Sequence, residues 1–194
     1  MTVSIHHAPT IAPQPWRNGG GQTRELLTWP PGPDWLVRIS RADIESDGPF
    51  SAFPGVERWF SVLEGAGVAL QFAEEERILK SGDVPLVFDG STAPGCRLLN
   101  GPTQDLNLMI RQGSGVMQPV QTQTAWSGPF SARGLYTLSA GEWQAGGQSR
   151  TLPAHTLLWT VDGNADEWTF RPAATQHPLR AWWLGYMPSQ NGAD

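Results

Sequence analysis

The stretch WFSVLEGAGVALQ, residues 59–71, consists of two runs of β-forming residues separated by a glycine turn. It is followed at residues 77–90 by RILKSGDVPLVFDG, in which a second turn precedes an apolar run ending in Asp-Gly. The same order recurs at residues 134–146, GLYTLSAGEWQAG, and 149–163, SRTLPAHTLLWTVDG. Such runs between turns predict antiparallel strands. Their recurrence favours a duplicated β unit, with ordinary turn chemistry as the alternative explanation of the match.

The composition supports an all-β fold. The 194 residues are 39% hydrophobic, enough to bury a core, and include 22 Gly and 17 Pro, which indicates many turns. No stretch sustains apolar residues at helical spacing over three turns. We therefore expect two similar antiparallel units in one compact chain. The first, residues 1–112, carries a ligand pocket; the second, residues 113–194, can exchange strands with it, and the Gly- and Gln-rich stretch 111–129 connects them.

Charge and hydropathy exclude several classes of partner. The net charge is −5 and the basic residues are scattered, so no basic stripe is available to nucleic acid. No apolar run approaches the length of a membrane span, and the N-terminus lacks the pattern of a signal peptide. Cys96 is the single cysteine, which precludes an internal disulfide. A soluble cytoplasmic protein is expected, and the sequence leaves open whether it is a homodimer.

The glycine run in PWRNGGGQTREL, residues 15–26, does not match a nucleotide-binding motif. No Lys follows it as in a P-loop, and GAGVAL at residues 65–70 lacks the third glycine of a dinucleotide fingerprint. Contiguous glycines permit positive φ and close backbone approach. We interpret the run as a bent segment that presents its amides, Asn18, Thr23 and Arg24 to a small polar ligand. A flexible turn before the first strand is the alternative.

Metal ligands and nucleophiles are weakly represented. The four histidines, at positions 6, 7, 155 and 177, show no metal-binding spacing beyond one adjacent pair. Cys96 has no evident base nearby, and a serine-hydrolase elbow is absent. The sequence therefore predicts no metal, no other cofactor and no assigned catalytic residue.

Strand alternation points to a pocket wall. In QDLNLMIRQ, residues 104–112, Asp105, Asn107 and Met109 share one face. A methionine among polar neighbours suits a half-apolar cavity wall, although a solvated outer face is the alternative. In DGPFSAFPGVERW, residues 47–59, the two phenylalanines are expected to pack inward or line a cavity. Arg58 either lies on the surface or closes the mouth of a barrel.

Four stretches together resemble the HutD family: PWRNGGGQTREL; WLVRISRADIESDGPFSAFPGVERWFSVLEG at residues 35–65; GDVPLVFDG at 82–90; and DLNLMI at 105–110. The resemblance implies a bicupin, with two β-barrel (jelly-roll) units, and a role in histidine utilisation through binding a carboxylate metabolite such as urocanate or formylglutamate. The cupin metal motif would need histidines at 53–65, where this chain has none. By matching positions, the implied ligand-binding residues are Trp16, Asn18, Gly19, Gly20, Thr23, Arg24, Phe53, Arg58, Asp105, Asn107 and Met109.

Two other functions stay open from the sequence. One is a metal-independent enzyme, an isomerase or hydrolase acting on a small carboxylate, which needs an acid or base such as Asp105 or Glu25 in the cavity. The other is an interaction or scaffold protein that uses an exposed apolar surface in the Trp-rich second half.

Overall fold

The computed structural model describes residues 2–121, 124–163, 166–174 and 180–189. In these ranges the fold is all-β: eighteen strands, every pairing antiparallel, and helix limited to two 3-10 turns at Ala8–Thr10 and Gly90–Thr92. The chain divides into two compact units. The first unit is Ile11–Gln112, and the second comprises the described residues of Met1–Thr10 and Gly113–Asp194.

The first unit contains two sheets. The six-stranded sheet has the order β2 (Gln14–Pro15), β3 (Gly21–Trp29), β4 (Val37–Ile44), β11 (Thr103–Ile110), β6 (Glu57–Glu64) and β9 (Leu86–Asp89). The four-stranded sheet has the order β5 (Gly48–Pro49), β10 (Gly95–Leu98), β7 (Val68–Gln71) and β8 (Glu76–Leu79). Phe50, Phe60 and Leu70 belong to a buried cluster within this unit.

The second unit also contains two sheets. The five-stranded sheet has the order β1 (Ser4–His7), β16 (Thr156–Thr160), β13 (Ala132–Thr137), β18 (Ala181–Met187) and β12 (Ser114–Pro119). The three-stranded sheet has the order β15 (Gln148–Leu152), β14 (Gly141–Ala145) and β17 (Trp168–Pro172). Residues 2–10, which the sequence alone groups with the first half, lie in this unit because β1 pairs with β16.

The two units repeat one order of strand pairing. The run β4-β11-β6-β9 of the first unit corresponds in chain order to β12-β18-β13-β16 of the second, and β10-β7-β8 corresponds to β17-β14-β15. The repeated sequence stretches supply equivalent strands in this scheme: β6 to β9 in the first unit and β13 to β16 in the second.

The connection expected at residues 111–129 is only partly a connection. Strand β12 lies inside it and pairs with β18 along its whole length. The stretch reads as polar because it is rich in Gly and Gln, yet Met117 is 2% exposed. Pairing with a strand about 70 residues later in the chain cannot be read from local composition.

Aromatic rings fill the core of the second unit. Trp126 stacks between Phe130 and Trp183, with ring centroids 4.9 and 5.3 Å away. Trp143 and Trp168 are fully buried and meet edge to face at 5.1 Å. The tryptophans of this half therefore form core and not the exposed apolar surface that a scaffold function would use.

Candidate functional site

A cavity of about 760 Å³ lies within the first unit. Its lining combines three arginines, one carboxyl group and a set of aromatic and apolar side chains. It is lined by Gln14, Pro15, Trp16, Arg17, Asn18, Thr23, Arg38, Ser40, Ala42, Pro49, Phe50, Ser51, Phe53, Arg58, Asp105, Asn107 and Met109. Its size fits a small metabolite.

Strand register assembles one wall of this cavity. On β11, Asp105 pairs with Ala42 of β4, Asn107 with Ser40, and Met109 with Arg38. Directly paired residues in neighbouring strands point to the same face of a sheet. The alternate residues of β4 and β11 therefore form one continuous surface, and on the other side of β11 the partner of Met109 is Arg58 of β6.

Arg58 is the most deeply buried cation of the cavity, at 6% exposure. Its Nε donates a 2.8 Å hydrogen bond to Oδ1 of Asn107. Its guanidinium carbon lies 4.5 Å from the ring centroid of Phe50 and 5.4 Å from that of Phe88, which holds the group by cation–π contact. Burial lowers the pKa of Arg58 to about 10, so it stays charged at neutral pH. No acceptor among the described residues hydrogen-bonds its two terminal nitrogens, which leaves a planar pair of donors for a ligand.

Asp105 is the buried acid of the cavity, at 1% exposure. Its Oδ1 accepts a hydrogen bond from Nδ2 of Asn107, and in the described part of the chain no cation lies within ion-pair distance of it. Burial raises the pKa of Asp105 to about 7, and the charge of Arg58 and the Asn107 hydrogen bond only partly oppose that shift. A carboxyl group in this state exchanges its proton near neutral pH.

Arg38 supplies a second cation on the wall. Its Nε donates to Oε2 of Glu25 at 2.8 Å, and its Nη1 lies 3.6 Å from Sδ of Met109. The guanidinium carbon also lies 5.9 Å from the ring centroid of Phe53. Glu25 holds the orientation of Arg38, and it does not itself line the cavity.

The glycine run forms the tight turn that joins β2 to β3. The amide of Gly20 donates to Oδ1 of Asn18 at 3.0 Å, and that of Gly19 donates to the carbonyl of Trp16 at 3.0 Å. Gly19 has a φ of +72°, which favours glycine. The turn lets Trp16 donate from Nε1 to Oγ1 of Thr23 at 2.8 Å, so its indole forms part of the cavity wall.

Eight of the eleven residues expected at the ligand site line this one cavity: Trp16, Asn18, Thr23, Phe53, Arg58, Asp105, Asn107 and Met109. Gly19 and Gly20 do not line it, because their amides close the turn and do not face the cavity. Arg24 does not line it either. It follows Thr23 on β3 and so faces the opposite side of the sheet, where its Nη1 pairs with Oδ2 of Asp43 at 2.6 Å.

Arg38, Ser40 and Ala42 line the cavity although the sequence did not indicate them as site residues. A signal was available, because alternation in β4 places these three residues on one face, apart from the apolar Val37 and Ile39. What the sequence lacked was the pairing of β4 with β11, which makes that face the cavity wall. Phe50, expected to pack inward or line a cavity, does both.

The described ranges bear on metal binding and on membrane insertion. No group of three His, Cys, Asp or Glu side chains there could hold a metal ion, and His177 lies outside those ranges. None of the helical segments in the same ranges is long and apolar enough to cross a membrane.

Comparisons with known proteins agree on one family. The family model described as HutD matches residues 8–177. Protein Ves from Citrobacter koseri is 33% identical over 176 residues, covering 89% of this chain and 91% of that protein. The structure of HutD from Pseudomonas fluorescens SBW25 superposes with a TM-score of 0.80 at 28% identity, covering 96% of this chain and 99% of that one.

A more distant likeness concerns the fold alone. A bacterial pirin from Escherichia coli, solved in complex with nickel(II), superposes with a TM-score of 0.64 at 10% identity, covering 96% of this chain and all (100%) of that one. The fold of this chain is therefore cupin-like.

Proposed function

The chain belongs to the HutD family, and from this premise we propose that the cavity of its first unit binds a small carboxylate metabolite without a metal. The ligand is a histidine-utilisation intermediate such as urocanate or formylglutamate, and its occupancy regulates the output of that pathway in the cytoplasm. The two units are two barrels of a bicupin, a proposal supported by their common strand order.

The observation that carries the proposal is the state of Arg58. It is 6% exposed, lies against the cavity, and has two terminal nitrogens that bond to no described residue. A guanidinium presents these donors in the geometry of a carboxylate. Each charge-assisted hydrogen bond formed there contributes about 1.5 to 3 kcal/mol, enough to select an acid over its amide.

The remaining lining suits the body of such a ligand. Trp16, Phe50, Phe53 and Met109 supply apolar surface, and the half-buried Arg38 and the exposed Arg17 add positive charge to the lining. Polar groups that orient a ligand, placed beside aromatic and apolar surface, are typical of small-molecule sites.

Calorimetric titration of urocanate and formylglutamate tests the proposal. We expect at least one of them to bind the wild type, Arg58→Ala to weaken that binding at least tenfold, and Arg24→Ala to leave it unchanged, because Arg24 faces the other side of the sheet. Absence of binding to the wild type, or equal loss in both variants, would overturn the proposal.

One observation favours a second candidate function. Asp105 lies in the cavity with its pKa raised to about 7, a value suited to general acid or base catalysis. A metal-independent isomerase or hydrolase acting on a small carboxylate would use it, whereas Glu25 is engaged by Arg38. Incubating the protein with each metabolite and following it by NMR separates the candidates, since binding without conversion rules out turnover.

A further inference from the structure

The cavity offers one buried cation to two acidic groups once a carboxylate is bound. Asp105 and the ligand would both lie near Arg58. Asp105 makes no ion pair of its own with that arginine among the described residues, because the amide of Asn107 stands between them and hydrogen-bonds to each. The carboxyl group of Asp105 is thus held close to the anion site without being neutralised by a direct salt bridge.

Resting on the proposed function, we infer that a carboxylate ligand enters this cavity together with one proton, which Asp105 takes from solvent. Binding would otherwise bring a second negative charge into a space where Asp105 is 1% exposed, and like charges in a desolvated site repel strongly. Protonation removes that repulsion. It also leaves Oδ2 of Asp105, which bonds to no described residue, able to donate a hydrogen bond to the ligand.

Among the titratable groups around Asp105, Asp105 itself is the one whose protonation we expect to change when a ligand binds. Burial of Asp105 raises its pKa to about 7 in the free protein, so the proton is exchangeable in the neutral range. On β10, burial and the nearby Asp105 raise the pKa of the Cys96 thiol to about 12, so that group stays neutral. From the far face of β4, the negative Asp43 and the positive Arg41 act on Asp105 in opposite directions.

The buried cation of the cavity keeps its charge in this range. Arg58 on β6 titrates near pH 10. Arg38 on β4 is neutralised from beside the cavity by Glu25, at 2.8 Å. From the glycine turn and the start of β3, the cavity is lined by the neutral Asn18 and Thr23 and by the exposed Arg17.

Isothermal titration of formylglutamate tests the inference, because this probe carries no group that titrates between about pH 6 and 8. At each pH, heats measured in two buffers that differ in ionisation enthalpy give the number of protons taken up; Hepes and Tris serve at the higher pH, and Mes and Bis-Tris at the lower. We expect about one proton per anion at pH ~8 and almost none at pH ~5.5. We also expect the dissociation constant to rise by up to tenfold per pH unit above about 7.

Variants assign the proton to its residue. Asp105→Asn keeps the shape of the side chain and the acceptor for Asn107, and it should bind with no proton uptake and no pH dependence. Asp83→Asn, a change of the same charge at an exposed loop position, should behave as the wild type.

The outcomes separate the inference from the proposed function. Binding to the wild type with no proton uptake at either pH would overturn the inference and leave the proposed function standing. Proton uptake that persists in Asp105→Asn would also overturn the inference, whereas failure of both urocanate and formylglutamate to bind the wild type at any pH would overturn both.

Discussion

Asn107 fixes Arg58 by accepting a 2.8 Å hydrogen bond from its Nε, so that the terminal nitrogens of the guanidinium are left to face the cavity. The two residues are 49 positions apart in the chain and lie on neighbouring strands, β11 and β6. The same amide donates from Nδ2 to Asp105. One neutral side chain therefore orients the buried cation and holds the buried acid.

Asn107→Ala should destabilise the protein and weaken anion binding together. It leaves Nε of Arg58 unpaired in a buried site, which costs about 1 to 3 kcal/mol of unfolding free energy. Urea denaturation measures that loss, and calorimetry should show at least a tenfold weaker affinity for a carboxylate ligand. Gln104→Ala removes an amide from the same strand without touching Arg58, so it should retain the affinity; an equal loss there would contradict the role given to Asn107.

Arg58→Lys should lose most of the binding although it keeps the charge. An ammonium group cannot donate to Asn107 and still present two parallel donors to a carboxylate. The expected weakening is at least tenfold by calorimetry, with a fold that circular dichroism shows to be intact. Arg24→Lys on the opposite face serves as the matched comparison. Retention of full affinity by Arg58→Lys would contradict the prediction, because binding would then depend on the charge alone.

Asp105→Asn should change how stability depends on pH. The folded-state pKa of Asp105 is raised from 3.8 to about 7, so the folded protein holds this proton over a range in which the unfolded chain releases it. The stability that Asp105 contributes therefore falls as pH rises from about 4 to about 7, by up to about 4 kcal/mol. Urea unfolding at pH ~4.5 and ~8 should show this decline in the wild type relative to Asp105→Asn. Parallel pH profiles for the two proteins would contradict the raised pKa.

Gly21→Ala should displace a side chain of the cavity wall, although Gly21 does not itself line the cavity. A Cβ at Gly21 would lie 2.3 Å from the backbone oxygen of Asp43 and 3.2 Å from the ring of Trp16. Since a backbone atom cannot move aside cheaply, we expect a loss of about 2 to 3 kcal/mol in unfolding free energy and a displaced Trp16. Thermal unfolding measures the first effect, and quenching of tryptophan fluorescence by a bound ligand reports the second.

Gly20→Ala is the comparison for that substitution. A Cβ there meets only side-chain atoms, Oγ of Ser46 at 3.1 Å and Oδ1 of Asn18 at 3.4 Å. These can shift, so the loss should stay below about 1 kcal/mol. Equal losses for the two glycines would mean that close packing at Gly21 is not what the turn requires.

The sequence predicted the all-β class and much of the candidate site because both rest on local patterns. Turn residues mark the ends of strands. Alternation along β11 places Asp105, Asn107 and Met109 on one face, independently of which strands or sheets pack against it. The motif resemblance then added Trp16 and Arg58. Local patterns could not place Arg24: the side of a sheet that faces a cavity is set by what packs against it.

What the sequence determined by itself was which side chains share a strand face; what only the tertiary structure decided was which faces meet and what is buried there. Pairing of β4 with β11 brought Arg38 and Ser40 to the cavity, and pairing of β11 with β6 brought Asn107 into contact with Arg58. The raised pKa of Asp105 likewise exists only in the folded chain. The physical reason is that desolvation and long-range hydrogen bonds depend on the packing of strands distant in sequence, whereas strand alternation depends on neighbouring residues alone.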